Sequence, residues 1–322
     1  MAILWVGFIG LIILLLALDL GVLNKKAHAI SAREALRWTS VWVTVSLLFS
    51  IFIYFAYENN WLHYAASSSY SGQKAVLTYL TGYLVEQSLS IDNIFVIAVI
   101  FAYFRIPAAN QHRVLFWGIL GAIVFRGLMI GIGVVLIQNF GWVMYLFGAI
   151  LLYAAYQMYV SGEHEAVEVE RNATLRLIKR FLPITKSFHG NRFFVNRMGV
   201  KAATPLFVAL MVVETTDIMF AFDSIPAIFA ITTDPFLVFT SNIFAILGLR
   251  SLYFVLASIL DKFTYLRYSL VFILGFVGIK MITAQWVHLP EWLSLVVILC
   301  ALAAGILPSL LLKKNPKDGK LA

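Results

Sequence analysis

Nine apolar runs divide this chain, each long enough to cross a bilayer as a helix. They lie near 2–23, 36–57, 76–104, 114–137, 141–160, 202–232, 236–260, 266–286 and 291–312. A helix needs about 20 residues to span the hydrocarbon. The third and sixth runs are longer than that, which predicts tilted, kinked or broken helices. The pattern predicts an all-α polytopic membrane protein of nine transmembrane helices. Polar positions inside the runs are few, and six of them are carboxylates: Asp19, Glu86, Asp92, Glu214, Asp217 and Asp223. An ionised side chain at membrane depth costs about 2.5–3.5 kcal/mol on insertion scales. Packing alone does not require that cost six times.

Composition agrees with the runs. Of 322 residues, 61% are hydrophobic and 12% charged, against about 25% charged in a soluble protein. The net charge of +8 does not point to nucleic acid once its placement is followed. Of the 24 Lys and Arg, Arg126, Arg250 and Lys280 lie inside runs. Lys74 alone falls on one side, and the other twenty follow the odd-numbered runs. Such asymmetry is the positive-inside pattern. It predicts an inner or plasma membrane protein with its N-terminus outside and its C-terminus in the cytoplasm.

Ala27-His28-Ala29 imitates a signal-peptide cleavage site. No basic segment precedes the first run, however, and its lysines come after it, so a retained helix is expected. The one cysteine, Cys300, lies in the last run. Neither an intramolecular disulfide nor dithiol redox chemistry within one chain is possible.

The chain contains an internal repeat. Ile91-Asp92-Asn93-Ile94 matches Phe222-Asp223-Ser224-Ile225 at an offset of 131, and Glu86 falls on Asp217 at the same offset. Arg126, in Phe-Arg-Gly-Leu, matches Arg250, in Leu-Arg-Ser-Leu, and Gln157-Met158 matches Lys280-Met281, at offsets of 124 and 123. Runs three to five (76–160) and six to eight (202–286) thus form two three-helix units. An odd number of spans inverts the second unit, and inverted repeats place a substrate site near the midplane between the copies. Runs one and two (1–57) and run nine (291–312) are peripheral. The polar segment 161–201 opens acidic, turns basic and is expected to be a cytoplasmic linker, with a short hairpin around Phe193-Phe194-Val195 and Gly199. The tail 313–322 is expected to be disordered in the cytoplasm.

Glu86 and Asp92, like Asp217 and Asp223, are six residues apart, which leaves them about 120° apart on an unbroken helix. Pro226 cannot donate to the Phe222 carbonyl, and its ring clashes there. A helix break near 222–226 is therefore expected, swinging Asp223 inward and freeing carbonyl oxygens. Asn93, Ser90, Ser224, Thr215 and Asn242 add possible oxygen ligands. Arg126, Arg250 and Lys280 can neutralise at most three of the six acids, as structural or gating charges. Asp19, near the cytoplasmic end of its run, is the weakest member. All six histidines are expected in loops, so the site is oxygen-only. That suits Mg²⁺, Ca²⁺ or Mn²⁺ rather than Zn²⁺, Cu⁺ or Ni²⁺. No phosphate-binding loop is present, so the energy source is expected to be a gradient. Desolvated carboxylates bind protons readily and can exchange a cation for them.

The segments Glu86–Phe95, Val213–Asp217 and Phe222–Ala230, followed by Thr232-Thr233-Asp234-Pro235-Phe236, Ser241-Asn242 and Leu247–Arg250, resemble the TerC family of integral membrane proteins, most closely its Alx-type members. The similarity runs from the first run to the eighth. It implies a family linked to tellurium resistance and alkaline-pH response, with members that export manganese, and it carries the acidic motifs as Glu86, Asp92, Glu214, Asp217 and Asp223. The expected function is a non-enzymatic secondary transporter. It would export Mn²⁺, with Ca²⁺ or Mg²⁺ as alternatives, in exchange for protons and without a resident cofactor. Its metal site would be Glu86, Asp92, Asn93, Glu214, Asp217 and Asp223. Expected partners are the bilayer, divalent cations and protons, with a membrane partner protein or a second copy possible and no nucleic acid. Two rival readings are a stress-response or redox-regulatory membrane protein or scaffold, and an exporter of small organic solutes with a roomier apolar pocket.

Overall fold

In the computed structural model, described for residues 2–18, 32–61, 70–160, 178, 180, 182–185, 188–197, 200–256, 266–283, 286 and 289–311, the apolar runs fold as helices. These are α1 (Ala2–Leu18), α2 (Ala32–Glu58), α3 (Gly72–Tyr103), α4 (Ala108–Asn139), α5 (Val143–Val160), α6 (Pro205–Phe229), α7 (Pro235–Leu256), α8 (Leu266–Thr283) and α9 (Glu291–Leu311). Seven are long and apolar enough to span a membrane; α1 and α8 are shorter apolar helices. The 17 residues of α1 rise about 26 Å, a little under the ~30 Å hydrocarbon core. The 32 residues of α3 and of α4 rise about 48 Å, so both must tilt or project beyond it. Asp19, the acidic opening of the linker (Glu163, Glu165, Glu168 and Glu170) and the tail from Lys313 lie outside the described residues.

Local chemistry sets the helix ends. Ser71 caps α3, its Oγ accepting from Lys74 N. At the other end of α3, Arg105 takes φ +51°. Arg105 N donates to Ala102 O and Ile106 N to Phe101 O, the paired closure of a Schellman turn. Asp234 starts α7, its Oδ1 accepting from Phe236 N at 2.9 Å and Leu237 N at 3.2 Å, with Pro235 at the first helical position where its missing N–H costs nothing. The expected hairpin forms, with β1 (Phe194–Arg197) antiparallel to β2 (Val200–Ala203). Phe194 packs on Phe207 of α6 at 4.4 Å between ring centroids, and the Arg113 guanidinium of α4 lies 4.9 Å over the Phe193 ring. The hairpin thus ties the start of α4 to the start of α6.

The expected helix break does not form. Helix α6 runs unbroken through 222–226 with Pro226 inside it. Pro226 lies three residues from the helix end, so the helix loses one hydrogen bond, that of the Phe222 carbonyl, in a turn that already frays.

Helix α3 packs against α7, α4 against α6 and α5 against α8. Exchange of the units by a two-fold axis would map the first two contacts onto each other. In lipid, apolar burial drives helix association weakly and close packing does more. The α5–α8 crossing uses glycines for this. A Cβ on Gly148 would lie 3.2 Å from the Gly278 carbonyl oxygen, and a Cβ on Gly278 would lie 3.2 Å from the Gly148 oxygen. Four residues on from each glycine, Leu152 covers Gly278 and Ile282 covers Gly148.

Candidate functional site

Near the middle of α3, α4 and α6, three charged side chains meet inside the bundle. Arg126 of α4 is fully buried and Glu86 of α3 is 1% exposed. The Arg126 Nη1 donates to Glu86 Oε1. Its Nη2 and Nε donate to the two oxygens of Asp217 on α6, at 3.0 and 3.3 Å. Nη1 also reaches Ser224 Oγ at 3.3 Å. Arginine suits this place because its planar fork stays charged and binds carboxylates two bonds at a time. One guanidinium therefore pairs with two of the predicted acids and balances the charge of one.

Two asparagines complete the cluster. Asn242 of α7, fully buried, donates its amide to Glu86 Oε2 at 2.9 Å. Asn93 of α3 donates to Asp217 Oδ1 at 3.4 Å. Each spends its N–H on an acid, and the Oδ1 of each is buried without a hydrogen-bond partner. Such an arrangement leaves two acceptor oxygens available beside the acids. The Asp217 side chain is 17% exposed and borders a cavity of about 30 Å³. Asn93, Leu115, Gly118, Thr216 and Phe220 are among its other walls. The space therefore has room for a water or a bare ion.

The other predicted ligands are placed differently. Glu214, one turn before Asp217 on α6, lies against Gly121 of α4, where any Cβ would collide with its carboxylate. Its Oε2 is buried and without a hydrogen-bond partner. Asp223 is partly buried on α6 beside Ser224. Asp92 lies in α3, and its side chain is outside the described residues. Ser90 Oγ is buried and unpartnered, whereas Thr215 spends its hydroxyl on Met211 O at 2.8 Å. Among the described residues, no three Asp, Glu, His or Cys side chains converge as a metal-holding group. Arg250 is buried in α7. Lys280, in the last turn of α8, donates to Ser294 Oγ of α9 at 3.0 Å. His112 lies on the first turns of α4, not in a loop. It is fourteen residues before Arg126, about 21 Å along the helix.

Reasoning from sequence missed Gly118 and Gly121, glycines of α4 that face Val213 and Glu214 of α6. A signal for Gly118 exists. At the offset that aligns Arg126 with Arg250, Gly118 falls on Asn242, so one copy carries an amide where the other carries nothing.

Known proteins place the chain. The integral membrane protein TerC family matches residues 71–317, and the chain belongs to it. It is similar to an uncharacterized membrane protein of Myxococcus xanthus, 47% identical over 312 residues, covering 97% of this chain and 93% of that one. A second relative, an uncharacterized membrane protein of Rickettsia bellii, is 42% identical over 315 residues, covering 98% and 99%. A third is the Escherichia coli (strain K12) protein named "Putative membrane-bound redox modulator Alx", 44% identical over 296 residues, covering 92% and 90%. No solved structure matches. The family and the apolar helices make this a multi-pass membrane protein.

Proposed function

We propose that this TerC-family member is a secondary transporter exporting a hard divalent cation, Mn²⁺ first, in exchange for protons, through a site at mid-membrane. One observation carries the reading. Asp217 and Asn93 both line one small cavity, and the Asn93 amide oxygen is buried and unpartnered. A partly buried carboxylate and a buried carbonyl oxygen bordering one small space are donors of the kind a hard cation needs to shed water. Glu86, Asp92, Glu214 and Asp223 supply further carboxylates along the same two helices. These donors admit Mn²⁺, Ca²⁺ and Mg²⁺ alike; the TerC resemblance favours Mn²⁺.

The repeat supports alternating access between two opposed units, and the basic-residue asymmetry supports a cytoplasmic C-terminus. In a Cys300→Ser background, cysteines placed at Asn59 and Asn196 test this orientation. Impermeant reagent added to intact cells labels only the first; labelling of both removes the inverted repeat from the proposal. The redox role in the name of the Escherichia coli relative is not favoured here. With one cysteine, on α9 and exposed, this chain cannot cycle a dithiol by itself.

The transport test is uptake by purified protein in liposomes, each divalent ion offered in turn under a proton gradient. Saturable Mn²⁺ flux with coupled proton movement is expected. No flux of any of the three ions would favour the scaffold reading.

A further inference from the structure

We propose that Arg126 is a tethered counter-cation for the ion site. Its guanidinium holds the carboxylate that the transported ion needs, so binding must displace it, and the competition sets both affinity and release. The inference rests on the transport reading above.

Geometry makes the competition direct. Both oxygens of Asp217 accept from Arg126, and Asp217 is the acid that faces the cavity. A cation entering beside Asn93 meets a carboxylate whose lone pairs are already directed at a guanidinium. The grip is uneven in a way that permits exchange. The bonds to Asp217 are 3.0 and 3.3 Å, on the partly exposed side. Nη1 meanwhile keeps Glu86 and Ser224 on the fully buried side. Arg126 can release Asp217 through Nε and Nη2 and still be neutralised by Glu86. Glu86 cannot leave in exchange, because Asn242 holds its second oxygen. Glu86 therefore acts as the anchor of the guanidinium, and Asp217 as the acid that alternates between arginine and ion. Arg126 is accordingly a positioning residue, acting on the ion through Asp217.

The test is equilibrium Mn²⁺ binding to purified protein, read from loss of the free-ion magnetic resonance signal, with liposome flux measured in parallel. Arg126→Gln should tighten Mn²⁺ binding by about tenfold or more, equivalent to ~1.4 kcal/mol, and lower both the KM for flux and its maximal rate. Arg126→Lys, which keeps the charge but not the fork, should restore part of the rate. A purely structural role predicts fewer binding-competent molecules with unchanged affinity, and that result would overturn the inference. Should Arg126→Gln fail to fold, Glu86→Gln and the double variant Glu86→Gln/Arg126→Gln decide. The single variant should bind more weakly than wild type, because Arg126 then holds Asp217 alone. The double should bind at least about tenfold more tightly than the single. Equal affinities for single and double would make Glu86 a ligand and Arg126 no competitor. If wild type and every variant bind none of Mn²⁺, Ca²⁺ and Mg²⁺, the transport reading itself fails.

Discussion

Glu86 and Asp217 match in sequence at an offset of 131 and bind the same arginine, yet their surroundings differ. Glu86 is closed in by Arg126 on one oxygen and Asn242 on the other, and is 1% exposed. Asp217 shares the same arginine but has only the long contact from Asn93 as its second donor, and it borders a cavity. One pair of residues contributes to the difference. Asn242 donates to Glu86, while Gly118, which falls on Asn242 at an offset of 124, carries no side chain into the space near Asp217. A residue on a neighbouring helix closes in one acid and leaves the other beside open space.

The strongest way to break this comparison is to remove each acid in turn. Asp217→Asn is expected to abolish Mn²⁺ flux in liposomes while the protein still folds, because Arg126 keeps Glu86. Glu86→Gln is expected to cost stability first. Removing one partner of a buried pair costs about 3–5 kcal/mol, which a thermal unfolding assay in detergent would register. Equal stability losses for the two variants would erase the distinction between anchor and available acid.

The next test exchanges the residues that separate the halves. A Cβ at Gly118 would meet only Val213 Cγ1, at 3.6 Å, so Gly118→Asn should fit its backbone and place its amide in the cavity. Flux is expected to fall by at least about tenfold, a barrier change of ~1.4 kcal/mol, with little change in stability. Asn242→Gly should do the reverse. Losing a hydrogen bond to a charged group costs about 1.5–3 kcal/mol, and flux should fall less than in Gly118→Asn.

Two smaller effects concern the scaffold. Gly148→Ala would place a Cβ 2.6 Å from Ile282 Cγ1 and force the α5–α8 crossing apart. Such overpacking costs about 1–3 kcal/mol, measurable as a lowered unfolding midpoint. Pro226→Ala is expected to leave flux unchanged and raise stability by less than the ~3 kcal/mol of a mid-helix proline, because α6 is already continuous there.

The helices were legible in the sequence because a bilayer demands long apolar runs and nothing else satisfies the backbone within it. The acids were legible because charge at that depth is rare. Which acid meets which arginine was not legible. It depends on how α3, α4 and α6 rotate and cross, and a shift of one residue turns a side chain by about 100°. The pairing of Arg126 with both Glu86 and Asp217 therefore needed coordinates. The expected break at Pro226 failed for a related reason. A proline three residues from a helix end removes one hydrogen bond where the helix was about to give it up. Gly118 and Gly121 were passed over because a missing side chain carries no chemistry until its neighbours are known.

The central claim is that the space beside Asp217 holds the transported ion. The most direct measurement is Mn²⁺ binding to purified wild-type and Gly118→Asn protein, compared by the magnetic resonance signal of bound Mn²⁺ and by flux in liposomes. The account predicts that wild type binds Mn²⁺ and that Gly118→Asn, with every carboxylate intact and the fold unchanged, loses both binding and flux. Undiminished Mn²⁺ binding in folded Gly118→Asn protein would contradict it.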